Sequence, residues 1–178
     1  ILQGLLEQNH LAEAKSYITD VTQKQLSHTT YVYTSSNILN HVLNEKSEQC
    51  KKLNIMYYVN ISGTIDTSLE LNLGIILSNL LDNAIEAECR QNTNNRKILL
   101  QLQQNKGMCY ITIKNYIETS VLDTNPSLLT NKTDKKQHGL GVKSIRKIVQ
   151  SLDGIYQQYE MDSYFVTTII LPDSTKCA

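Results

Sequence analysis

Residues 69 to 90 carry the strongest helical pattern in the chain, and this pattern has two distinct sides. The apolar side repeats at three- and four-residue spacing, through Leu73, Ile76, Leu77, Leu80, Ala84 and Ala87. A helix with one apolar side has to bury that side against another element. The pattern therefore predicts a long helix from Leu69 to Arg90 that packs on a core supplied by the rest of the chain.

Strand patterns on both sides of this helix predict the surface that covers it. Apolar residues alternate with polar or amphipathic ones from Ile55 to Ile61, from Ile98 to Leu102 and from Cys109 to Ile113. Asn105, Lys106 and Gly107 separate the last two segments, and residues of these types tolerate a positive φ. The two segments are therefore predicted to form a hairpin.

Two more helices and a closing hairpin complete the predicted domain. One helix starts at about Ser35, and another runs through Val142 to Leu152 with Gly154 as its C-terminal cap. The closing hairpin joins Ile155 to Glu160 with Tyr164 to Leu171. We therefore expect an α/β sandwich, in which a mixed and mainly antiparallel sheet carries helices on one face.

The remaining segments set the expected domain limits. Residues 1–30 show two amphipathic helical patterns and predict a partial helical hairpin, followed by a domain over residues 31–173 and a tail over 174–178. Residues 117–137 are polar, and a loop of that length inside a compact domain is usually functional. The chain starts at Ile1 without Met, and we expect it to be a piece of a longer protein.

Composition narrows the classes of function. The 178 residues contain 17 basic and 17 acidic side chains, with a pI of about 7.1, so nothing indicates a nucleic-acid partner. The four cysteines lack the spacing of a zinc site or a disulfide framework, which favours a reducing, cytosolic setting. No apolar stretch approaches the roughly 20 residues that a membrane helix needs.

The polar side of the long helix is the first candidate site. Asn79, Asp82, Asn83 and Glu86 fall at positions i, i+3, i+4 and i+7, so their four oxygen-bearing side chains share one stripe. A solvated helix face explains such a stripe in most proteins, but two asparagines are an unusual choice there because Asn is a poor helix former. An amide oxygen is a suitable ligand for Mg²⁺.

A glycine-containing helix start is the second candidate site. The segment His138-Gly139-Leu140-Gly141-Val142-Lys143-Ser144 leads from the long loop into a helix. Glycines there let backbone N–H groups approach a ligand, and a helix N-terminus favours anionic phosphate, although a tight turn would explain the glycines equally well. The spacing matches neither the Walker motif nor the dinucleotide fingerprint.

The order of these parts resembles a known superfamily. An asparagine-rich helix, a hairpin ending in Ile113-Lys114-Asn115, a long loop and a Gly-x-Gly helix start resemble the ATP-binding domain of gyrase, heat-shock chaperone, histidine kinase and mismatch-repair ATPases, known as the Bergerat fold. The segment from Ser78 to Ala87 looks like the N box of sensor kinases that respond to peptide pheromones in Gram-positive bacteria. The resemblance covers roughly residues 31 to 172.

The resemblance implies roles for the polar stripe. Asn83 would hold Mg²⁺ through its amide oxygen, and Asn79 would lie one turn before it. Hydrolysing members carry a water-activating Glu at position 79, and an amide cannot serve as that base, which favours transfer to a supplied acceptor over hydrolysis. Asp82 would lie under the nucleotide or pair locally. Glu86 departs from the Lys or Arg that many histidine kinases carry at this position.

The resemblance also implies an ATP pocket and a lid. Asn115 would accept the adenine amino group where most relatives have Asp. Gly139 and Gly141 would lie under the phosphates, with His138, Leu140 and Val142 completing that box. Residues 117–137 would close over ATP. Lys132, Lys135 or Lys136 in this lid would supply the positive charge that stabilises the phosphates.

The implied activity is that of a protein histidine kinase. Its phosphoacceptor is expected upstream of Ile1, since His10, His28, His41 and His138 are all followed by residues unlike those of the family. The expected partners are a dimer mate and the receiver domain of a response regulator, and the expected location is the cytoplasmic part of a bacterial membrane receptor. The alternatives are a hydrolysing ATPase and a degenerate dimerising module without nucleotide chemistry.

Overall fold

The computed structural model describes residues 31–125 and 140–173. The chain divides into two units, Ile1–Tyr31 and Val32–Ala178, and the fold reported below belongs to the second. The predicted limits of the segment at residues 1–30 and of the tail at 174–178 lie outside the described residues and stay predictions.

The helices are α1 (Asn37–Lys52), α2 (Glu70–Arg90), α3 (Val121–Thr124) and α4 (Leu140–Ser151), and a 3-10 turn at Thr67–Leu69 precedes α2. The strands are β1 (Met56–Ser62), β2 (Lys97–Asn105), β3 (Met108–Tyr116), β4 (Ile155–Met161) and β5 (Tyr164–Pro172).

Helix α1 has well-defined signals at both ends. The Ser36 side chain accepts a hydrogen bond from the N–H of Leu39 at 3.3 Å, which satisfies one of the free N–H groups of the first turn. At the other end Asn54 has a φ of +54°, and the N–H of Ile55 donates to the carbonyl of Cys50 at 2.9 Å. This turn is a Schellman motif with Asn in the left-handed position. It directs the chain straight into β1.

The five strands form one sheet in the order β1-β2-β3-β5-β4. Strands β1 and β2 are parallel, with Val59 opposite Leu100, and α2 forms the crossover between them. The other three pairs are antiparallel, so the sheet is mixed and mainly antiparallel, as the sequence predicts. The predicted hairpin between β2 and β3 is also confirmed, with φ of +50° at Lys106 and +77° at Gly107.

One face of the sheet and the three long helices enclose the core. Alternate residues of β3, namely Cys109, Ile111 and Ile113, are buried, while Tyr110 between them is exposed. They join a single cluster with buried residues of α1, α2 and α4. The helices therefore cover one face, which confirms the α/β sandwich expected from the sequence. Among the described residues, no helix has both the length and the apolar character that crossing a membrane requires.

The prediction that Gly154 caps α4 is wrong in its detail. Asp153, with a φ of +51°, takes the left-handed position, and the N–H of Gly154 donates to the carbonyl of Val149 at 2.8 Å. Gly154 is needed for space instead, because a Cβ there would lie 2.7 Å from the carbonyl oxygen of Ile170 and 2.7 Å from Cδ2 of Leu171. An aspartate can adopt the left-handed conformation, whereas no side chain fits at position 154.

The start of the predicted loop at residues 117–137 contains a short helix that the sequence pattern did not indicate. Ser120 caps α3 by accepting a hydrogen bond from the N–H of Asp123, and a Glu160 oxygen accepts hydrogen bonds from the N–H groups of Val121 and Leu122. These last two donor–acceptor distances are 2.7 and 2.9 Å. Strand β4 thus fixes the first turn of α3. The rest of the predicted loop, residues 126–139, lies outside the described residues.

Candidate functional site

The polar stripe of α2 faces away from the core, as its spacing predicts. Asp82 and Asn83 are exposed, and Asn79 and Glu86 are half-buried. The opposite side of the same helix is buried through Leu73, Leu77, Leu81 and Ala84 among others. The stripe is therefore held in place by the core and open on its outer side. The stripe thus presents amide and carboxylate groups on the outer side of α2.

Asn79 brings the stripe into contact with the start of α4. Its Nδ2 donates to the carbonyl of Ile75 at 2.8 Å, one turn earlier on α2. A Cβ built on Gly141 would lie 2.7 Å from Asn79 Oδ1, which is closer than real Cβ atoms approach other groups. A side chain at position 141 would therefore displace either the Asn79 amide or the first turn of α4. The asparagine-rich helix and the Gly-x-Gly segment, which are distant in sequence, meet at this point.

Asn83 carries an exposed carboxamide. Within residues 31–125 and 140–173 its side chain makes no hydrogen bond, so its amide oxygen is open to an external group. No cluster of three or more His, Cys, Asp or Glu residues in those ranges is arranged to hold a metal ion. A cation bound by Asn83 would therefore need most of its ligands from a bound molecule and water, which is the usual situation for Mg²⁺ on a nucleotide.

Asp82 pairs with a lysine of another helix, rather than with a residue close in sequence. The Lys46 ammonium donates to Asp82 Oδ1 at 2.8 Å, and this contact joins α1 to α2. Burial by itself would lower the pKa of Lys46, but the hydrogen bond and the charge of Asp82 outweigh burial and raise it. Lys46 is thus positively charged at neutral pH although it is only 4% exposed.

Glu86 lies at the outer end of the stripe, one turn before Arg90. The guanidinium of Arg90 and Glu86 Oε2 are 3.4 Å apart, and both side chains are substantially exposed. Such a pair contributes little stability. Arg90 nevertheless places a cation one turn beyond the position where the resemblance expects Lys or Arg.

Asn115 lies on the helix-covered face of the sheet near the end of β3. Its neighbours in the sheet are Ile98 on β2 and Phe165 on β5, and it is only 6% exposed. Its side-chain amide forms no hydrogen bond with the described part of the chain. The amide atoms keep some access to solvent, so a ligand that supplies complementary hydrogen bonds can reach them.

The end of α2 is tied to the end of β3, next to Asn115. Gln91 Nε2 donates to the carbonyl of Tyr116, and Gln91 Oε1 accepts a hydrogen bond from the N–H of Glu118 at 3.1 Å. This clamp places the C-terminal end of the polar stripe and Asn115 at the same end of the domain. Gln91 could not be predicted from the sequence, because one glutamine after a helix gives no signal for such a role.

Glu88 is a second residue of the site region that was not among the predicted ones. It is fully buried, its Oε2 accepts a hydrogen bond from the N–H of Lys97 at 3.1 Å, and its Oε1 has no partner among the described residues. Burial raises the pKa of the Glu88 carboxyl to about 7, against the opposing effect of the Lys97 N–H. A detectable signal existed, because Glu88 falls at i+4 from Ala84 and i+7 from Leu81 on the apolar side of α2.

Part of the predicted site lies outside the described residues. Lys132, Lys135, Lys136, His138 and Gly139 belong to residues 126–139. Leu140 is described only by its backbone, as the first residue of α4. Val142 follows Gly141 in the same turn and is half-buried. The structure therefore describes the α4 side of the Gly-x-Gly segment, and its loop side stays a prediction.

The chain belongs to the GHKL domain family, which matches residues 70–172, more than half of its length. This range contains α2, with its polar stripe, and every later element described above. No curated protein matches the chain.

Solved structures of histidine kinases share the fold. The catalytic domain of the histidine kinase ThkA is 20% identical, with 79% of this chain and 93% of that one covered and a TM-score of 0.57. The histidine kinase AdeS of Acinetobacter baumannii is 18% identical, and the match covers 97% of this chain and 84% of AdeS with a TM-score of 0.57. The structure of ThkA in complex with the response regulator protein TrrA is 16% identical, and the match covers 98% of this chain and 51% of that chain with a TM-score of 0.59. The mixed sheet with helices on one face is thus the fold of histidine kinase catalytic domains.

Proposed function

We propose that this chain is the Mg-ATP-binding catalytic domain of a sensor histidine kinase, which transfers the γ-phosphate of ATP to a histidine. The observation that carries the proposal is the contact between Gly141 and Asn79, because it joins an amide-bearing stripe to a helix N-terminus in a GHKL fold. Phosphoryl transfer asks mainly for positioning and for stabilisation of charge, and this arrangement provides both.

In the proposed site, different residues bind the metal ion, the adenine and the phosphates. Asn83 would hold Mg²⁺ through its free amide oxygen, and Asn115 would hydrogen-bond the adenine. Gly141 and Gly139 would let backbone N–H groups approach the phosphates, with His138, Leu140, Val142 and a lid lysine such as Lys132 nearby. Mg²⁺, when bound, neutralises charge on the phosphates. Asn79 has no basic group, so it cannot activate water as a Glu at that position would, and we expect transfer rather than hydrolysis.

The finer parts of the proposal concern the whole protein. We propose that it is a peptide-pheromone sensor anchored in a bacterial membrane upstream of this chain, with this portion in the cytoplasm. The acceptor histidine would lie outside the chain, on a dimerisation hairpin to which residues 1–30 would also belong. The phosphate would then pass to a response regulator, and the complex of ThkA with TrrA supports a partner of that kind.

A matched pair of variants tests the role of Asn83. We expect Asn83→Ala to weaken ATP binding in Mg²⁺ by at least about tenfold in calorimetric titrations, and to change binding in EDTA little. Asn60→Ala, an exposed asparagine on β1, is the control and should bind like the wild type. If Asn83→Ala binds Mg-ATP like the wild type, Asn83 is not the Mg²⁺ ligand. If the wild type itself shows no binding at millimolar ATP, the degenerate dimerising module replaces the kinase.

A further inference from the structure

Lys46 is a charged residue on the apolar side of α1. The buried positions of this helix are Leu39, Leu43, Lys46 and Cys50, which follow one another at three- and four-residue spacing. Lys46 thus occupies a position where the pattern calls for an apolar residue. Its side chain is 5% exposed, although lysine is almost never buried unless it is paired.

The partner of Lys46 is a member of the polar stripe. Its Nζ lies 2.8 Å from Asp82 Oδ1 on α2 and 3.4 Å from Glu45 Oε1 on its own helix. Asp82 is half-exposed and directly precedes Asn83. The contact therefore runs from the buried side of α1 to the open side of α2, and ends next to the proposed Mg²⁺ ligand.

Helix packing alone does not require this ion pair. The remaining buried residues of the α1 and α2 surfaces are mainly leucine and isoleucine, and they belong to one continuous cluster. An apolar side chain in place of a buried ion pair is often neutral or stabilising. A lysine at this position therefore points to a role on the stripe in addition to joining two helices.

We propose that Lys46 is a positioning residue for the Mg-ATP site, which holds Asp82 in one orientation and compensates its charge beside Asn83. This inference rests on the proposed nucleotide function. Asp82 is three residues after Asn79 and directly precedes Asn83, so its half-exposed carboxylate lies on the polar stripe beside the proposed Mg²⁺ ligand. Without Lys46, that carboxylate would repel the phosphates and compete with them for the cation.

The test compares ATP titrations of Lys46→Met in Mg²⁺ and in EDTA. Repulsion by Asp82 acts more strongly on free ATP than on Mg-ATP, because free ATP carries more negative charge. We expect binding to weaken about tenfold in EDTA and about threefold in Mg²⁺. Lys46→Met combined with Asp82→Asn removes both charges and should recover binding to within about twofold of the wild type. Lys46→Arg should also retain it.

Two further variants make the test decisive. Lys52→Met changes an exposed lysine of the same helix and should bind like the wild type. Asp82→Asn keeps Lys46 and removes the repelling carboxylate, so it should bind ATP more tightly than the wild type in EDTA, a result that does not depend on the folding of Lys46→Met. Weaker binding by Asp82→Asn would overturn the inference, as would equal losses in Mg²⁺ and EDTA for a folded Lys46→Met. Wild-type protein that binds no ATP would instead refute the proposed function.

Discussion

Gly141 lies so close to Asn79 that a Cβ at position 141 would be 2.7 Å from Asn79 Oδ1. Asn79 Nδ2 donates to the carbonyl of Ile75 at 2.8 Å, so a shift of the amide would disturb this hydrogen bond. The contact joins two segments that are 62 residues apart and fixes where α4 begins relative to α2. Because it involves the first turn of α4, it also decides where that turn presents its free N–H groups.

Gly141→Ala should therefore weaken nucleotide binding more than it weakens the fold. The added methyl group has to displace either the Asn79 amide or the first turn of α4, and both are part of the proposed site. We expect at least about tenfold weaker Mg-ATP binding, with a loss in the free energy of unfolding of about 1 to 2 kcal/mol. Calorimetric titration and urea unfolding measure the two effects. Lys147→Ala, at an exposed position further along α4, is the control, and equal binding by both variants would refute the prediction.

Asn115→Leu should remove selectivity for adenine and leave the domain folded. Leucine matches the apolar neighbours Ile98 and Phe165 and removes a nearly buried amide that has no partner among the described residues. We expect a thermal stability at least equal to that of the wild type, with at least about tenfold weaker ATP binding. Gln101→Leu, on the open face of β2, controls for added apolar surface. Retained ATP affinity and selectivity over GTP in Asn115→Leu would show that this position does not contact the base.

Glu88→Gln should make the stability of the domain less dependent on pH. The folded pKa of Glu88, about 7, lies above the usual value for glutamate, so the folded state favours the neutral carboxyl. Below about pH 4, Glu88 is neutral in both the folded and the unfolded state and does not reduce the free energy of unfolding. As the pH rises, its ionisation in the unfolded state lowers this free energy, and the loss levels off above about pH 7. Glutamine can still accept the hydrogen bond from Lys97.

The measurement is a set of thermal melts between pH 5 and pH 8. The melting temperature of Glu88→Gln minus that of the wild type should be roughly 5 °C larger at pH 8 than at pH 5. Glu118→Gln, at an exposed position, should follow the wild type at every pH. A constant difference between Glu88→Gln and the wild type across this range would contradict the raised pKa.

The end of α4 gives a prediction that separates backbone strain from crowding. Gly154→Ala should destabilise the domain by about 1 to 3 kcal/mol, because its Cβ meets Ile170 and Leu171 at 2.7 Å. Asp153→Gly should be neutral or stabilising by about 0.5 to 1 kcal/mol, since glycine adopts a φ of +51° without strain. Chemical unfolding of both variants tests the assignment. If Asp153→Gly is the more harmful change, the left-handed position at the end of α4 is wrongly assigned to Asp153.

Much of the fold could be predicted because local patterns agree with the global architecture. The alternation of Cys109, Ile111 and Ile113 and the residues Lys106 and Gly107 determine a strand and a turn without reference to the rest of the chain. The details at Gly154 could not be predicted, since glycine at the end of a helix fits both a left-handed cap and a close approach. Only the position of Ile170 and Leu171 distinguishes these roles.

The polar stripe could be predicted from the sequence, but the contacts of its residues could not. The spacing of Asn79, Asp82 and Asn83 places them on one stripe, yet nothing local reveals that Lys46, 36 residues before Asp82, reaches the same stripe. The lysine within the apolar pattern of α1 was the available signal. Glu88 gave the same kind of signal on α2. A charged residue on the apolar side of an amphipathic helix is thus a feature to search for in related chains.

The most direct test of the account is a calorimetric titration of this chain with ATP, with and without Mg²⁺, and with GTP, combined with a hydrolysis assay on the same samples. We expect saturable, Mg²⁺-assisted binding that is selective for ATP over GTP, with no appreciable turnover. The absence of binding at millimolar ATP would contradict a nucleotide site at the junction of Asn79 and Gly141. Steady hydrolysis would contradict the kinase assignment and would require a catalytic base other than Asn79.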